Sequence, residues 1–150
     1  MVIRKVISGG QTGVDRAALD VAMALGIRCG GWCPRGRRAE DGVINSRYPL
    51  DETSSKSYAR RTEWNVRDSD GTFIVTVGEP TGGTALTIRA AEEMGRPCIT
   101  IDPSSATGVT TFREWVEAEG IETLNIAGPR ESTMVGIYEL ASAFLRKILQ

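Results

Sequence analysis

The chain has 150 residues, enough for one domain with a real hydrophobic core. Its 18 Lys and Arg offset 19 Asp and Glu to a net charge of −1, so it carries no electrostatic footprint for non-specific DNA or RNA binding. No apolar run approaches the roughly 18–20 residues of a membrane span, and the amino-terminus reads as a strand rather than a signal peptide, so a cytoplasmic protein is expected. Three cysteines, Cys29, Cys33 and Cys98, do not make a disulfide framework. Without any histidine or a second cysteine pair, Cys29 and Cys33 make a poor zinc site.

Taken in order, Val2–Ile7 is an apolar run that predicts a first strand. It ends in Ser8-Gly9-Gly10-Gln11-Thr12-Gly13, and Val14, Ala17, Ala18, Val21, Ala22 and Leu25 then recur at helical spacing up to Gly26. Ile27–Trp32 predicts a short strand, and residues 33–53 a long irregular loop, of a length more often functional than idle. Ser55–Arg67 predicts a helix and Thr72–Val77 a strand. A second glycine turn, Gly78-Glu79-Pro80-Thr81-Gly82-Gly83-Thr84, opens a helix ended by Gly95 and Pro97. Strands at Pro97–Ile101 and Glu122–Ile126 and helices at Thr111–Glu119 and Thr133–Leu149 complete the pattern.

Strands alternating with helices predict a single α/β domain over residues 1–150. It is Rossmann-like and doubly wound, with a mostly parallel sheet of about five strands flanked by helices. In such folds ligands bind beyond the carboxyl ends of the strands, where both glycine turns lie. A strand-to-helix turn rich in glycine brings backbone N–H groups and the positive end of a helix dipole against an anion. The candidate binding residues are therefore Gly9, Gly10, Gln11, Thr12 and Gly13 in the first turn and Thr81, Gly82, Gly83 and Thr84 in the second. Bulkier residues at Gly10 and Gly83 are expected to abolish binding while the fold survives. Neither turn has the dinucleotide or P-loop spacing. The expected partner is a phosphorylated small molecule, and Arg35, Arg38 and Arg61 are placed to neutralise it, with Arg37 and Arg60 beside them. Asp15, in the first helical turn, must point aside, hold a cation or pair with Arg16. Trp32 and Trp64 offer rings for stacking, although half-buried packing is the preferred reading.

Without histidine there is no Ser–His or Cys–His couple, which weighs toward binding rather than turnover. Asp15, Glu40, Asp41 and Glu79 remain as acids or bases near the cleft. The apolar stripe of the last helix, Ile137, Leu140, Ala141, Phe144, Leu145 and Ile148, suits either the core or a homo-oligomer.

The run from Ser8 to Leu19 resembles the opening motif of the molybdenum cofactor carrier family, within the LOG/lysine-decarboxylase-like superfamily. Gly31–Gly42, Arg61-Thr62-Glu63-Trp64-Asn65-Val66, Ser69-Asp70-Gly71-Thr72 and Thr81-Gly82-Gly83-Thr84 are similar to its further blocks, in family order over the first two-thirds of the chain. The resemblance implies a carrier for the molybdenum cofactor, molybdopterin with its phosphate. Molybdoenzymes or cofactor-synthesis proteins would then be partners. A nucleotide or nucleotide sugar, processed or merely sensed, is the alternative. Relatives that act as cytokinin-activating phosphoribohydrolases carry P-G-G-x-G-T-x-x-E, and here Thr87 stands at the glutamate position.

Overall fold

Short apolar stretches between glycines and prolines set the strands, and helical apolar spacing sets what lies between them. A computed structural model describes residues 2–150. In chain order the elements begin with β1 (Lys5–Ile7), α1 (Val14–Ala24), β2 (Arg28–Gly30), β3 (Trp32–Cys33), β4 (Arg38–Ala39), β5 (Gly42–Val43) and β6 (Asp51–Glu52). They continue with α2 (Tyr58–Arg67), β7 (Gly71–Val75), α3 (Gly82–Met94), β8 (Cys98–Ile101), α4 (Gly108–Glu119), β9 (Thr123–Ala127) and α5 (Ile137–Leu149).

Five strands form one wholly parallel sheet in the order β2-β1-β9-β7-β8. The fold is the expected α/β domain. The last strand in sequence stands in the middle, so the carboxyl ends of β1, β9 and β7 lie side by side. β7 is buried along its whole length, as a central parallel strand covered on both faces must be. On one face α1 packs along α5, and Val14, Ala18, Val21, Ala141, Phe144, Leu145 and Ile148 close over Val6, Phe73 and Leu124. On the other face α2 packs along α3 around Val66, Ala90 and Ala91. The stripe of α5 thus belongs to the core, except Leu140, which is 40% exposed.

Two expectations shift. The strand expected over Ile27–Trp32 divides at Gly31, whose φ of +130° turns the chain out of the main sheet. β3 then pairs with β6 in a separate two-stranded piece. The region of residues 33–53, expected as an irregular loop, is ordered by the short β4–β5 and β3–β6 ladders and by one side chain in particular. The Arg37 guanidinium donates to the carbonyls of Ile44 (3.1 Å), Asn45 (2.9 Å), Tyr48 (3.0 Å) and Leu50 (3.1 Å). The guanidinium's fixed fork of N–H groups thus supplements the two-residue ladders of β3 with β6 and of β4 with β5. Arg37 is therefore a structural residue rather than a free cation. Beneath the loop, Leu19, Cys33, Ile44, Tyr48 and Leu50 form a small second core.

Candidate functional site

A cleft of about 360 Å³ opens at the carboxyl ends of the central strands, within the range of small-molecule sites. Three strand-to-helix loops meet in it. The first glycine turn contributes Gly9 and Gln11, followed by Asp15. The second contributes Thr81, Gly82, Gly83 and Thr84. The third, between β9 and α5, contributes Gly128, Pro129, Arg130, Ser132 and Thr133. α2 closes the cleft with Tyr58, Arg61, Thr62 and Asn65.

The two glycine turns are built for different tasks. In the second, Thr81 is extended (φ −132°, ψ 168°) and gives α3 no side-chain cap. The N–H groups of Thr84 and Ala85 turn back to the Thr81 carbonyl (3.1 and 3.3 Å). Those of Gly82 and Gly83 meet no acceptor among the described residues. A Cβ built on Gly83 meets nothing within 4 Å. This is an open helix amino-terminus with free donors, the arrangement that favours an anion.

The first turn spends most of its donors internally. Gly10 N–H donates to the Ser8 hydroxyl (3.3 Å), Gln11 N–H to the Asp15 carboxylate (3.3 Å), and Thr12 N–H to the Gln11 amide oxygen (3.1 Å). Val14 N–H donates to the Pro129 carbonyl (3.2 Å). Asp15 is thus an internal carboxylate occupying much of the place an external anion would take. It pairs with Arg61 (3.3 Å) rather than Arg16. Arg16 instead meets Asp41 (2.9 Å) and the Gly10 carbonyl.

The Asp15–Arg61 pair lies on the floor of the cleft, with both residues buried. Burial pushes the Asp15 carboxyl above its ordinary range, and the neighbouring Arg61 guanidinium only partly opposes this. The guanidinium lies where a side chain on Gly9 would stand: a Cβ there would come within 1.8 Å of Arg61 Nη1. Gly9 is required by this close approach. Gly10 is required by packing, since its Cβ would meet Leu50 Cδ1 at 2.5 Å and its φ is +79°. A bulkier residue at Gly10 therefore disturbs the second core, contrary to the expectation that the fold survives there.

The other candidates divide. Thr12 donates its hydroxyl to Glu40 and accepts from Glu131 N–H (3.1 Å). Gly13 caps α1. Gly10, Thr12 and Gly13 support the cleft without lining it. Arg35 and Arg38 sit in the exposed loop; Arg38 reaches the rim only by lying 5.6 Å from the Tyr58 ring centroid. Glu40 is a tether, accepting from Thr12, from the Ser132 hydroxyl and from Ser132 N–H (3.2 Å). Burial raises its pKa, but these bonds outweigh that and hold it below the usual carboxylate range. Trp32 and Trp64 pack edge to face (4.7 Å) away from the cleft. Thr87 lines the cleft and turns its hydroxyl back to the Gly83 carbonyl (2.9 Å).

Sequence reasoning missed the whole β9–α5 loop, together with Tyr58. Arg61 and Arg130 approach the Tyr58 ring as Arg38 does, at 5.4 and 5.6 Å. The available signal was Gly128-Pro129 directly after a strand and ahead of a helix. Among the described residues no group of three His, Cys, Asp or Glu is placed to hold a metal ion. No helix among them is long and apolar enough to cross a membrane. Burial pushes the Cys98 thiol up to about 11.

Comparison with known proteins agrees with this architecture. Residues 6–149 match the model of the circularly permutated YpsA SLOG family. A crystal structure from Syntrophus aciditrophicus, described as a putative molybdenum carrier protein, is 45% identical to the chain. It superposes with a TM-score of 0.97 over 99% of this chain and 96% of that one. A search of curated proteins finds no match. A sheet with its last strand at the centre, strand-end glycine loops converging on one cleft, and a match over almost the full length together assign the chain to the circularly permutated YpsA SLOG family.

Proposed function

We propose that this chain is a binding and carrier protein for a phosphorylated heterocyclic molecule held in the three-loop cleft, with molybdenum cofactor, through its pterin phosphate, as the cargo. The observation that carries this reading is the uncapped amino-terminus of α3, where the N–H groups of Gly82 and Gly83 have no acceptor among the described residues and line the cleft beside Thr81 and Thr84. Phosphate is assigned to that end, and Arg130, Ser132 and Thr133 border it from the third loop. The cargo metal would be carried by its own pterin ligand, because Cys33 is buried under the long loop and lines no part of the cleft. The Syntrophus relative supports the choice of cargo.

Calorimetric titration with a phosphate ester of 6-hydroxymethylpterin tests the phosphate site. The wild-type chain is expected to bind it, and Gly83→Val, which has room for the new side chain, to lose at least tenfold in affinity with its melting temperature unchanged. Full affinity in that variant contradicts the assignment. A second reading, nucleotide processing, is favoured by one observation: the Asp15 carboxyl faces the cleft with its pKa raised by burial. Incubating the chain with AMP or ADP-ribose and separating the products decides between them. A carrier leaves both intact.

A further inference from the structure

The floor of the cleft has a hydrogen-bonding pattern of its own. The Gln11 amide oxygen accepts from Thr12 N–H (3.1 Å) and Glu40 N–H (2.8 Å), which fixes the amide's orientation and leaves Nε2 as a donor. Nε2 is buried and has no partner. Arg61 is 8% exposed and gives Nη1 to Asp15 Oδ2, yet its buried Nε also lacks a partner. Asp15 Oδ2 accepts from Gln11 N–H and Arg61, while no described residue donates to Oδ1. Two unused buried donors and a carboxylate with a free oxygen thus belong to three residues that line the cleft together.

This floor is not a second phosphate site. Asp15 and Arg61 offset each other's charge, and Arg16 is taken by Asp41. Buried donors without acceptors are costly, so the pattern calls for a neutral partner that brings acceptor capacity to both and a donor to the carboxylate.

We infer that the floor reads the edge of a planar heterocycle through a carbonyl oxygen beside a ring N–H. The carbonyl's two lone pairs accept from Gln11 Nε2 and Arg61 Nε, and the ring N–H donates to Asp15 Oδ1. The 2-amino-4-oxo pyrimidine edge shared by guanine and pterins has this arrangement. Adenine presents a ring nitrogen with a single lone pair, leaving one of the two donors unpaired. The inference rests on the proposed phosphate site, which seats the other end of the molecule at α3.

Calorimetry on the full chain with GMP, AMP and a phosphate ester of 6-hydroxymethylpterin tests it. GMP and the pterin ester are expected to bind about tenfold or more tightly than AMP, the usual consequence of one unpaired buried donor. Whichever of the two binds more tightly identifies purine or pterin as the source of the edge. In Gln11→Met the preference of GMP over AMP should shrink to within about threefold. Equal binding of GMP and AMP to the wild-type chain overturns the inference, and so does an undiminished preference in Gln11→Met. Gly83→Val separates the two readings. If it weakens all three probes while the wild-type chain shows no preference, the phosphate site stands and the ring reading falls. If affinity and preference both persist in Gly83→Val, the phosphate site falls. No binding by any probe overturns both.

Discussion

Glycines that look alike in the sequence differ in what surrounds them. Gly10 carries φ +79° and has Leu50 Cδ1 where a Cβ would go, whereas Gly83 faces open space. Gly10→Val is therefore expected to cost roughly 2 kcal/mol or more from overpacking and backbone strain, read as a lower urea midpoint. Gly83→Val should leave that midpoint unchanged and remove only ligand. Equal destabilisation by both would contradict the division between a packed turn and an open one. Asp15 and Arg61 obey similar logic. Replacing Arg61 by Met leaves a buried carboxylate without its guanidinium, and breaking such a pair costs about 3–5 kcal/mol. Asp15→Asn, which keeps an oxygen for Gln11 N–H, should cost less. The sequence pointed to both residues but not to their pairing, because Arg16 adjoins Asp15 in the chain while Arg61 reaches it from α2, 46 positions on.

At the scale of elements, the loop of residues 34–52 has only two short ladders, β4 with β5 and β6 with β3, and charged tethers add to them. Glu40 binds the first and third strand-end loops, Asp41 binds Arg16, and Arg37 collects four carbonyls. The Glu40 carboxyl lies below its ordinary range, and its bonds to Ser132 and Thr12 overcome the opposing effect of burial. Asp41 is lowered by its hydrogen bond and charge contact with Arg16. A carboxyl lowered on folding contributes stability that is complete above its unfolded pKa and is lost as pH falls through its folded one. Asp15 has the opposite sign: its pKa is raised above 3.8, so its burial disfavours the folded chain at neutral pH and that cost is relieved on acidification. The loop is thus expected to loosen first as pH falls below the ordinary carboxylate range and through the lowered folded values of Glu40 and Asp41, before the sheet responds. Limited proteolysis at pH 7 and at about pH 3 should show cleavage rising within residues 34–52, and Glu40→Gln should show it at pH 7. Uniform cleavage across the chain at about pH 3 would argue against tethering. Helix and strand positions were legible here because apolar periodicity marks α1, α3 and β7. The loop's internal order was not, since one arginine among several supplies much of it and composition does not say which.

Over the whole molecule, the sheet order makes the site. β9, last in sequence, enters between β1 and β7 and brings its own loop between the two glycine turns. The α/β class and the parallel sheet were legible from the alternation of strands and helices. The order of strands was not, because periodicity records which face a residue presents and not which strand is its neighbour. That is why Arg130, Ser132 and Thr133 escaped notice, and why the first turn looked as capable of holding phosphate as the second. With the order in hand, the two turns take separate roles: α3 offers free N–H groups, and the β1 turn offers a charge-balanced floor. The most direct measurement is a backbone amide NMR titration of the full chain with the phosphate ester of 6-hydroxymethylpterin. The largest shifts are expected at Gly82, Gly83 and Thr84, with a smaller set at Gln11 and Asp15. Largest shifts at Gly10 to Gly13, or none in the second turn, would contradict the placement of phosphate on α3.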